Sequence, residues 1–393
     1  MEIRRLWSWL VTAALLLVCF GLVQSAARTV PINAQAGAPR SPLVDVSGAI
    51  TVDTTWLAAE SPYVVTGDVT VNPDVTLTIE PGVEVRFDGN YALIVQGRLS
   101  AQGTEAEPIL FTSNATTPAP GDWAVLDFRA GSANNVLSQA IVEYGGNATR
   151  AGVGCVAGAI CVNTSSFLLE FSTVQHNATR GLVLVQSDAF VWGNCFDDHV
   201  EEAIRLHNCN HAIGPCRPEI MSNQFTGNAS AINRAGPQDP YLGGNTATGN
   251  TLNGYLLSSC MSIGPNIWYA DLPYVVINWC TIGGYGATSV TMEPGTVVKV
   301  DGGGLEIKSG SVVTASGTIE EPVIFTSLLD DSVGGDTNND GSNTTPAAND
   351  YYHVLVTGAG TRALFEHGVF RYGGAGRIGV GPLLLLDYDA TAT

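Results

Sequence analysis

The chain has 393 residues, with 17 Lys+Arg against 36 Asp+Glu, a formal charge of −19, 45% apolar residues and only 13% charged ones. It is too apolar and too aromatic for a disordered protein, and too acidic for a nucleic-acid binder, which needs a basic patch to displace counterions from phosphate. The 45 glycines follow no three-residue period, which excludes collagen.

Residues 1–25 read as an export signal. Arg4 and Arg5 precede an apolar run from Leu6 to Val23, and small residues close it at Ser25, Ala26 and Ala27. Cleavage after Ser25 or after Ala27 fits the small-residue rule. The run is only just long enough to span a membrane, so an anchor is the weaker reading. No second long apolar stretch follows. The expectation is a soluble mature chain without a transmembrane segment, secreted or held at the cell surface. Residues 26–50, rich in Ala, Gly and Pro, read as a linker or N-terminal cover.

Of eight cysteines, Cys19 lies in the signal, leaving Cys155, Cys161, Cys195, Cys209, Cys216, Cys260 and Cys280. An oxidising compartment permits disulfides. Cys155 with Cys161, and Cys209 with Cys216, are close enough to close small loops. Cys260 and Cys280 are spaced like neighbouring coils of a solenoid. The odd number leaves Cys195 as the candidate free thiol, although connectivity does not follow from spacing alone. No C-x-x-C is present, so zinc and thioredoxin-type chemistry have no support.

Residues 51–393 repeat at two scales. L-T-I-E-P-G-V-E-V-R-F at 77–87 returns as V-T-M-E-P-G-T-V-V-K-V at 290–300. E-P-I-L-F-T-S at 107–113 returns as E-P-V-I-F-T-S at 321–327, and V-E-Y-G-G at 142–146 as F-R-Y-G-G at 370–374. Trp56 matches Trp268, and S-P-Y-V-V at 61–65 matches L-P-Y-V-V at 272–276. A unit at 56–146 thus recurs at 268–374, lengthened by an insertion around 328–341. Between the copies, four segments beginning at Ser172, Asn194, Asn223 and Asn245 share the form N/S-x-φ-x-x-N-x-x-x-G-φ, where φ is apolar. Their starts are 22, 29 and 22 residues apart.

A period near 22 built of short β-type runs describes coils that bury an apolar face only by stacking. Val174, Phe196, Phe225 and Ala247 should stack in register inside. So should Leu182, Ile204, Ile232 and Tyr255. Asn177, Asn228 and Asn250 should occupy one corner and hydrogen-bond to their copies, with His199 interrupting them. Gly181 and Gly254 should give tight bends. No 3.6-residue apolar stripe runs beyond two turns, so helices are not expected.

These units resemble the right-handed parallel β-helix family of pectate-lyase-like solenoids, in a form found in secreted bacterial repeat proteins. The resemblance implies an all-β, single-stranded right-handed parallel β-helix over most of residues 52–393. For activity it implies little, because the fold carries lyases, hydrolases and non-catalytic surface proteins alike. The second copy departs where Trp123 of G-D-W becomes Tyr351 of N-D-Y. About a dozen coils, each rising about 4.8 Å, would make a rod about 60 Å long. The second unit stops soon after its Y-G-G, whereas the first continues for four more coils. A polar cap is also missing from the sequence there, which points to a chain truncated at its C-terminus.

Chemistry-bearing motifs are sparse. D-x-N-x-D-G, with Asp336, Asn338 and Asp340 followed by Gly341, places oxygen ligands at alternate positions of a sharp turn, as in a structural calcium loop. Asp330, Asp331 or Asp350 could add ligands. Ala347 stands where an EF-hand needs Glu, and the bland alternative is a polar surface loop. A second cluster holds Asp197, Asp198, His199, Glu201, Glu202, Arg205 and His207. Paired acids there would suit glycoside hydrolysis, and Asp with Arg and calcium would suit a pectate-lyase-like proton abstraction. Against that, Asp is common on such turns for backbone reasons. Trp56, Trp123, Trp192, Trp268 and Trp279 either stack on sugars or serve the core. Six N-x-S/T sites start at Asn114, Asn147, Asn163, Asn177, Asn228 and Asn343. Serine-hydrolase, zinc-protease and Walker motifs are absent from the sequence.

The expected role is a secreted or cell-surface β-helix with a non-catalytic glycan-binding, adhesion or structural function, its partner a polysaccharide or cell-surface glycan. No catalytic residue is assigned. The rival is a polysaccharide lyase or glycoside hydrolase using the 197–207 cluster. A passive rigid spacer is the third reading.

Overall fold

The computed structural model describes residues 43–152, 155–163, 166–207, 217–236, 240–258, 264–283, 288–376, 379–380, 384–386 and 391–392. The export signal and most of the linker lie outside them. Short strands dominate, and the only helical element among these residues is the single 3-10 turn Ala58–Glu60. No helix here is long and apolar enough to cross a membrane.

The strands run parallel in a 22-stranded sheet, with an 8-stranded and a 5-stranded sheet closing the remaining side. This is a right-handed parallel β-helix. The first strand, Val44–Ile50, already pairs in parallel with Tyr63–Val71. The β-helix therefore begins inside the stretch read as linker. Both expected stacks are present. Val174, Phe196, Phe225 and Ala247 are mutual partners in successive coils. Leu182, Ile204, Ile232 and Tyr255 form the second column. Rings stack along the first, with Phe196 and Phe225 at 5.4 Å.

The conserved form of the small repeat has a hydrogen-bonding cause. Asn194, Asn223 and Asn245 make one ladder at one corner: the Asn194 amide donates to Asn223 Oδ1, and the Asn223 amide to Asn245 Oδ1. Asp271 caps it by accepting from the Asn245 amide, and burial pushes its own pKa up to about 6. At the next corner the Asn228 amide donates to Asn250 Oδ1 and the Asn250 amide to Asn253 Oδ1. These side chains satisfy turn backbone groups that the strands leave unpaired. His199 takes the Asn place between Asn177 and Asn228. Its backbone N–H donates to Asn228 Oδ1, but both ring nitrogens are buried without a hydrogen-bond partner. Gly181 lies within a strand rather than at a bend. A Cβ there would come 2.5 Å from the His199 ring, so close packing excludes a side chain; at Gly254 the Pro273 carbonyl does the same.

The two large copies fold alike. Trp56 stacks on Tyr63 at 4.9 Å and Trp268 on Tyr274 at 4.7 Å. Trp123 and its counterpart Tyr351 are both fully buried. The copies do not stack in phase, however. In the first, Tyr63 pairs with Val85 and Val69 with Leu93, in two separate columns. Tyr255 continues the Val69–Leu93 column, yet its partner in the next coil is Tyr274, the counterpart of Tyr63. The second copy is thus turned by one face relative to the first. The 8-stranded sheet accordingly ends at Tyr241–Gly243, and the 5-stranded sheet starts at Gly264–Trp268.

Cys155 and Cys161 form the expected disulfide, with Cα atoms 6.2 Å apart. Cys195 is disulfide-bonded, which corrects its assignment as the free thiol. Cys280 is also bonded. Cys209, Cys216 and Cys260 lie outside the described residues.

Burial holds the His199 imidazole neutral, with its pKa pushed down to about 3. The unfolded chain takes up that proton near pH 6.5 and the folded one does not, so stability falls as pH drops from about 6.5 toward about 3. Between pH 8 and pH 5 the linked loss is about 2 kcal/mol. Urea titrations of wild type and His199→Asn across this range should differ by about that amount, with the variant losing less.

Candidate functional site

The cluster expected at 197–207 is divided among three environments. Asp197 ends the strand Cys195–Asp197 and faces outward, and Asp198 follows at a positive φ of 54°. His199 turns into the core, 2% exposed. Glu202, 6% exposed, accepts hydrogen bonds from Arg180 Nε at 2.8 Å and Arg205 Nη1 at 2.7 Å, and Arg180 also pairs with Glu201. Burial opposes ionisation of Glu202, but the Arg180 hydrogen bond and the two guanidinium charges outweigh it and hold its pKa below the usual range. Burial and the same two arginines push the His207 pKa down. This group is an ion-paired brace across two coils and does not converge with Asp197.

A different set comes together around Asp197. Thr112, Glu143, Gln175, Asp197 and Thr226 stand in successive coils on one outward column. Glu143 Oε1 accepts from Thr112 Oγ1 at 2.9 Å, and its Oε2 from Gln175 Nε2 at 2.7 Å. The next residue in each strand forms a parallel row at the turn. The Tyr144 and His176 rings lie 6.0 Å apart and nearly parallel, and His176 Nδ1 meets Asp198 Oδ2 at 3.0 Å. Tyr144 and His176 also have positive φ, at 63° and 52°, which aims this row outward at the corner. Burial raises the Asp197 pKa; the His176 charge lowers it and Asp198 raises it again. The double row presents aromatic rings, carboxylates and an amide at intervals of one coil rise, about 4.8 Å.

Sequence reading reached Asp197 and Asp198 but not Tyr144, Glu143, Gln175 or His176. Their partners are a full coil away, and only superposition of the repeats reveals the columns. Of the five tryptophans singled out, Trp56, Trp123 and Trp268 belong to the core, while Trp279 is 49% exposed. Asn177 and Asn228 are buried in the corner ladder, so their N-x-S/T sites are closed to modification.

In the insertion, Asp336 Oδ1 accepts from the Asp340 N–H at 3.0 Å and its Oδ2 from the Gly341 N–H at 2.9 Å. Asp340 accepts from the N–H groups of Ser342, Asn343 and Thr344 and from Asn338 Nδ2. Carboxylate oxygens of Asp331, Asp336 and Asp340 lie within 4.8 Å of one another. Asn338 Oδ1 and Asp331 Oδ1 are buried without partners. Burial, then the charges of Asp336 and Asp340, raise the Asp331 pKa. Asp330 is held instead by Thr326 and Ser332, and Asp350 by the Ala347 N–H. The insertion folds back over the preceding coils. Leu328 packs with Leu252 and Val275, Asn253 Nδ2 donates to the Asp336 carbonyl, and the buried Lys299 ammonium donates to the Gly335 carbonyl.

Strand topology and outward columns together describe a parallel β-helix with a patterned lateral surface. Residues 48–157 match the family model of the pectate-lyase like beta helix domain. No curated protein matches the chain. Among solved structures the chain is similar to an alginate lyase from Paenibacillus sp. str. FPU-7, at 9% identity over 84% of this chain and 100% of that one, with a TM-score of 0.24. At that score the likeness assigns no residue and no activity.

Glu202→Ala leaves the Arg205 guanidinium without its carboxylate and Arg180 with only the more exposed Glu201, and should cost about 3 kcal/mol, the low end for breaking a buried ion pair. Urea unfolding measures it. A loss below about 0.5 kcal/mol would contradict a bracing role.

Proposed function

We propose that the protein is exported and binds an extracellular polysaccharide along the Tyr144–His176–Asp198 edge without cleaving it. The observation that supports this most is the double row itself. A linear polymer lying along the axis meets apolar aromatic rings, beside carboxylates and an amide suited to sugar hydroxyls. The acids are engaged in ways that favour binding over catalysis: both Glu143 oxygens accept protein hydrogen bonds, and Glu202 is held between two arginines. Tyr144→Ala should weaken retention on the bound polysaccharide about tenfold or more in affinity electrophoresis across acidic and neutral polymers. Unchanged mobility of wild type in every polymer would sink the reading.

Asp197 favours the rival, a polysaccharide lyase or glycoside hydrolase, because its raised pKa suits proton transfer. The same polymers incubated with the protein decide between the two. New oligosaccharides by mass spectrometry that vanish in Asp197→Asn would make it an enzyme.

We also propose a structural calcium ion held by Asp331, Asp336, Asp340 and Asn338 Oδ1. Hard oxygen donors and buried, unpartnered oxygens support it. At calcium 100-fold above Kd, unfolding should cost about 2.7 kcal/mol more than in chelator. Thermal melts should show the rise in wild type and its loss in Asp331→Asn. Equal melting temperatures with calcium and with chelator would remove the ion from the account.

A further inference from the structure

We propose that Trp279, with Tyr352, His353, Thr281 and Glu306, forms a second and separate subsite that takes the C–H face of one pyranose ring. The proposal rests on the reading that the partner is a polysaccharide, and adds to it where a sugar ring is gripped. Trp279 is 49% exposed, in contrast to the buried Trp56, Trp123 and Trp268. It is nevertheless held in place. Its indole lies against Gly304, where an added Cβ would come within 2.9 Å of the ring. The Tyr352 and His353 rings support it at 5.5 and 5.6 Å. Polar groups stand beside it. Thr281 and Glu306 follow Trp279 and Gly304 by two residues in paired strands, and so face the same side. Glu306 Oε2 accepts from Thr281 Oγ1 at 3.1 Å and Lys308 Nζ at 2.7 Å. The other Glu306 oxygen has no protein partner among the described residues and can accept from a sugar hydroxyl. A preorganised open ring face next to a carboxylate matches a pyranose, which has an apolar face and a rim of hydroxyls.

The first copy shows the closed counterpart of this surface. By strand register, Asp68 stands for Trp279, Ala92 for Gly304, and Ala124 and Val125 for Tyr352 and His353. There Asp68 is ion-paired to Arg150. Cys155, tied to Cys161, packs on the cluster of Ala92, Ala124 and Val125. The copies share their core and differ on this face, where the second exposes an indole. Because the second copy is turned by one face, this subsite is out of line with the Tyr144–Asp198 edge.

The test is a tryptophan-fluorescence titration of the whole protein with the oligosaccharides of whichever polymer it retains, in wild type, Trp279→Ala and Trp279→Phe. The expected result is a saturable emission change in wild type that Trp279→Ala abolishes, and, by isothermal titration calorimetry of the same pairs, a Kd weakened about tenfold in Trp279→Ala and largely restored in Trp279→Phe. Circular dichroism confirms folding. Retention by wild type with an unchanged Kd in Trp279→Ala overturns the subsite and leaves the edge reading standing. Failure of wild type to bind any polymer overturns both. A concentration-dependent dimer that Trp279→Ala abolishes assigns the indole to a second copy of the chain and also overturns it.

Discussion

Each coil must place its apolar side chains directly above those of the coil beneath, because no single coil can hide them. Strands of three to five residues bury nothing on their own, and stability in such a solenoid is a sum of neighbour contacts. Strict register is therefore the constraint on which the rest depends. It explains why Phe196 sits on Phe225. It also explains why the corners carry Asn, whose amide and carbonyl satisfy both its own coil and the next. Register delivers the lateral surface as well. Once the inward residues are stacked, the outward ones between them are stacked too, and Glu143, Gln175 and Asp197 become neighbours although they are far apart in sequence.

The junction between the large copies shows how the same constraint can be met in another phase. Tyr255 and Tyr274 pack edge to face with centroids 5.2 Å apart, so an aromatic contact bridges columns that the repeat does not equate. Asp271 closes the Asn194–Asn223–Asn245 ladder at this junction, and Asn253 with the insertion closes the other. A rotation by one face keeps the core continuous while it redirects every outward column. Duplication of one unit has thereby yielded two lateral surfaces of different chemistry, one clipped by Cys155–Cys161 and Arg150, the other open at Trp279.

The ionisable groups divide by what their neighbours supply. Glu202 stays charged because two guanidinium groups offset its burial, whereas Asp197 has only His176 against burial and the Asp198 charge. At His199 burial outweighs the Asp198 charge and keeps the imidazole neutral. Residues within one eleven-residue stretch of sequence thus serve as brace, core filler and surface acid. Their proximity along the chain said nothing about convergence, because a turn of the β-helix sends consecutive side chains to opposite sides of the wall.

The sequence by itself determined the parallel β-helix, the inward columns, the Asn corner and the doubled unit, because each of these is a periodic demand that every coil must meet and so recurs in the text of the chain. It also placed Asp336, Asn338 and Asp340 on one turn, since their contacts are local. Tertiary structure alone decided that Asp331 joins them while Asp330 and Asp350 do not, and that Cys195 is bonded. It alone assembled Tyr144 with His176 and Asp198, left Trp279 in solvent and turned the second copy by one face. These features depend on which side chains lie one coil above or below, and that spacing changes with every insertion between them.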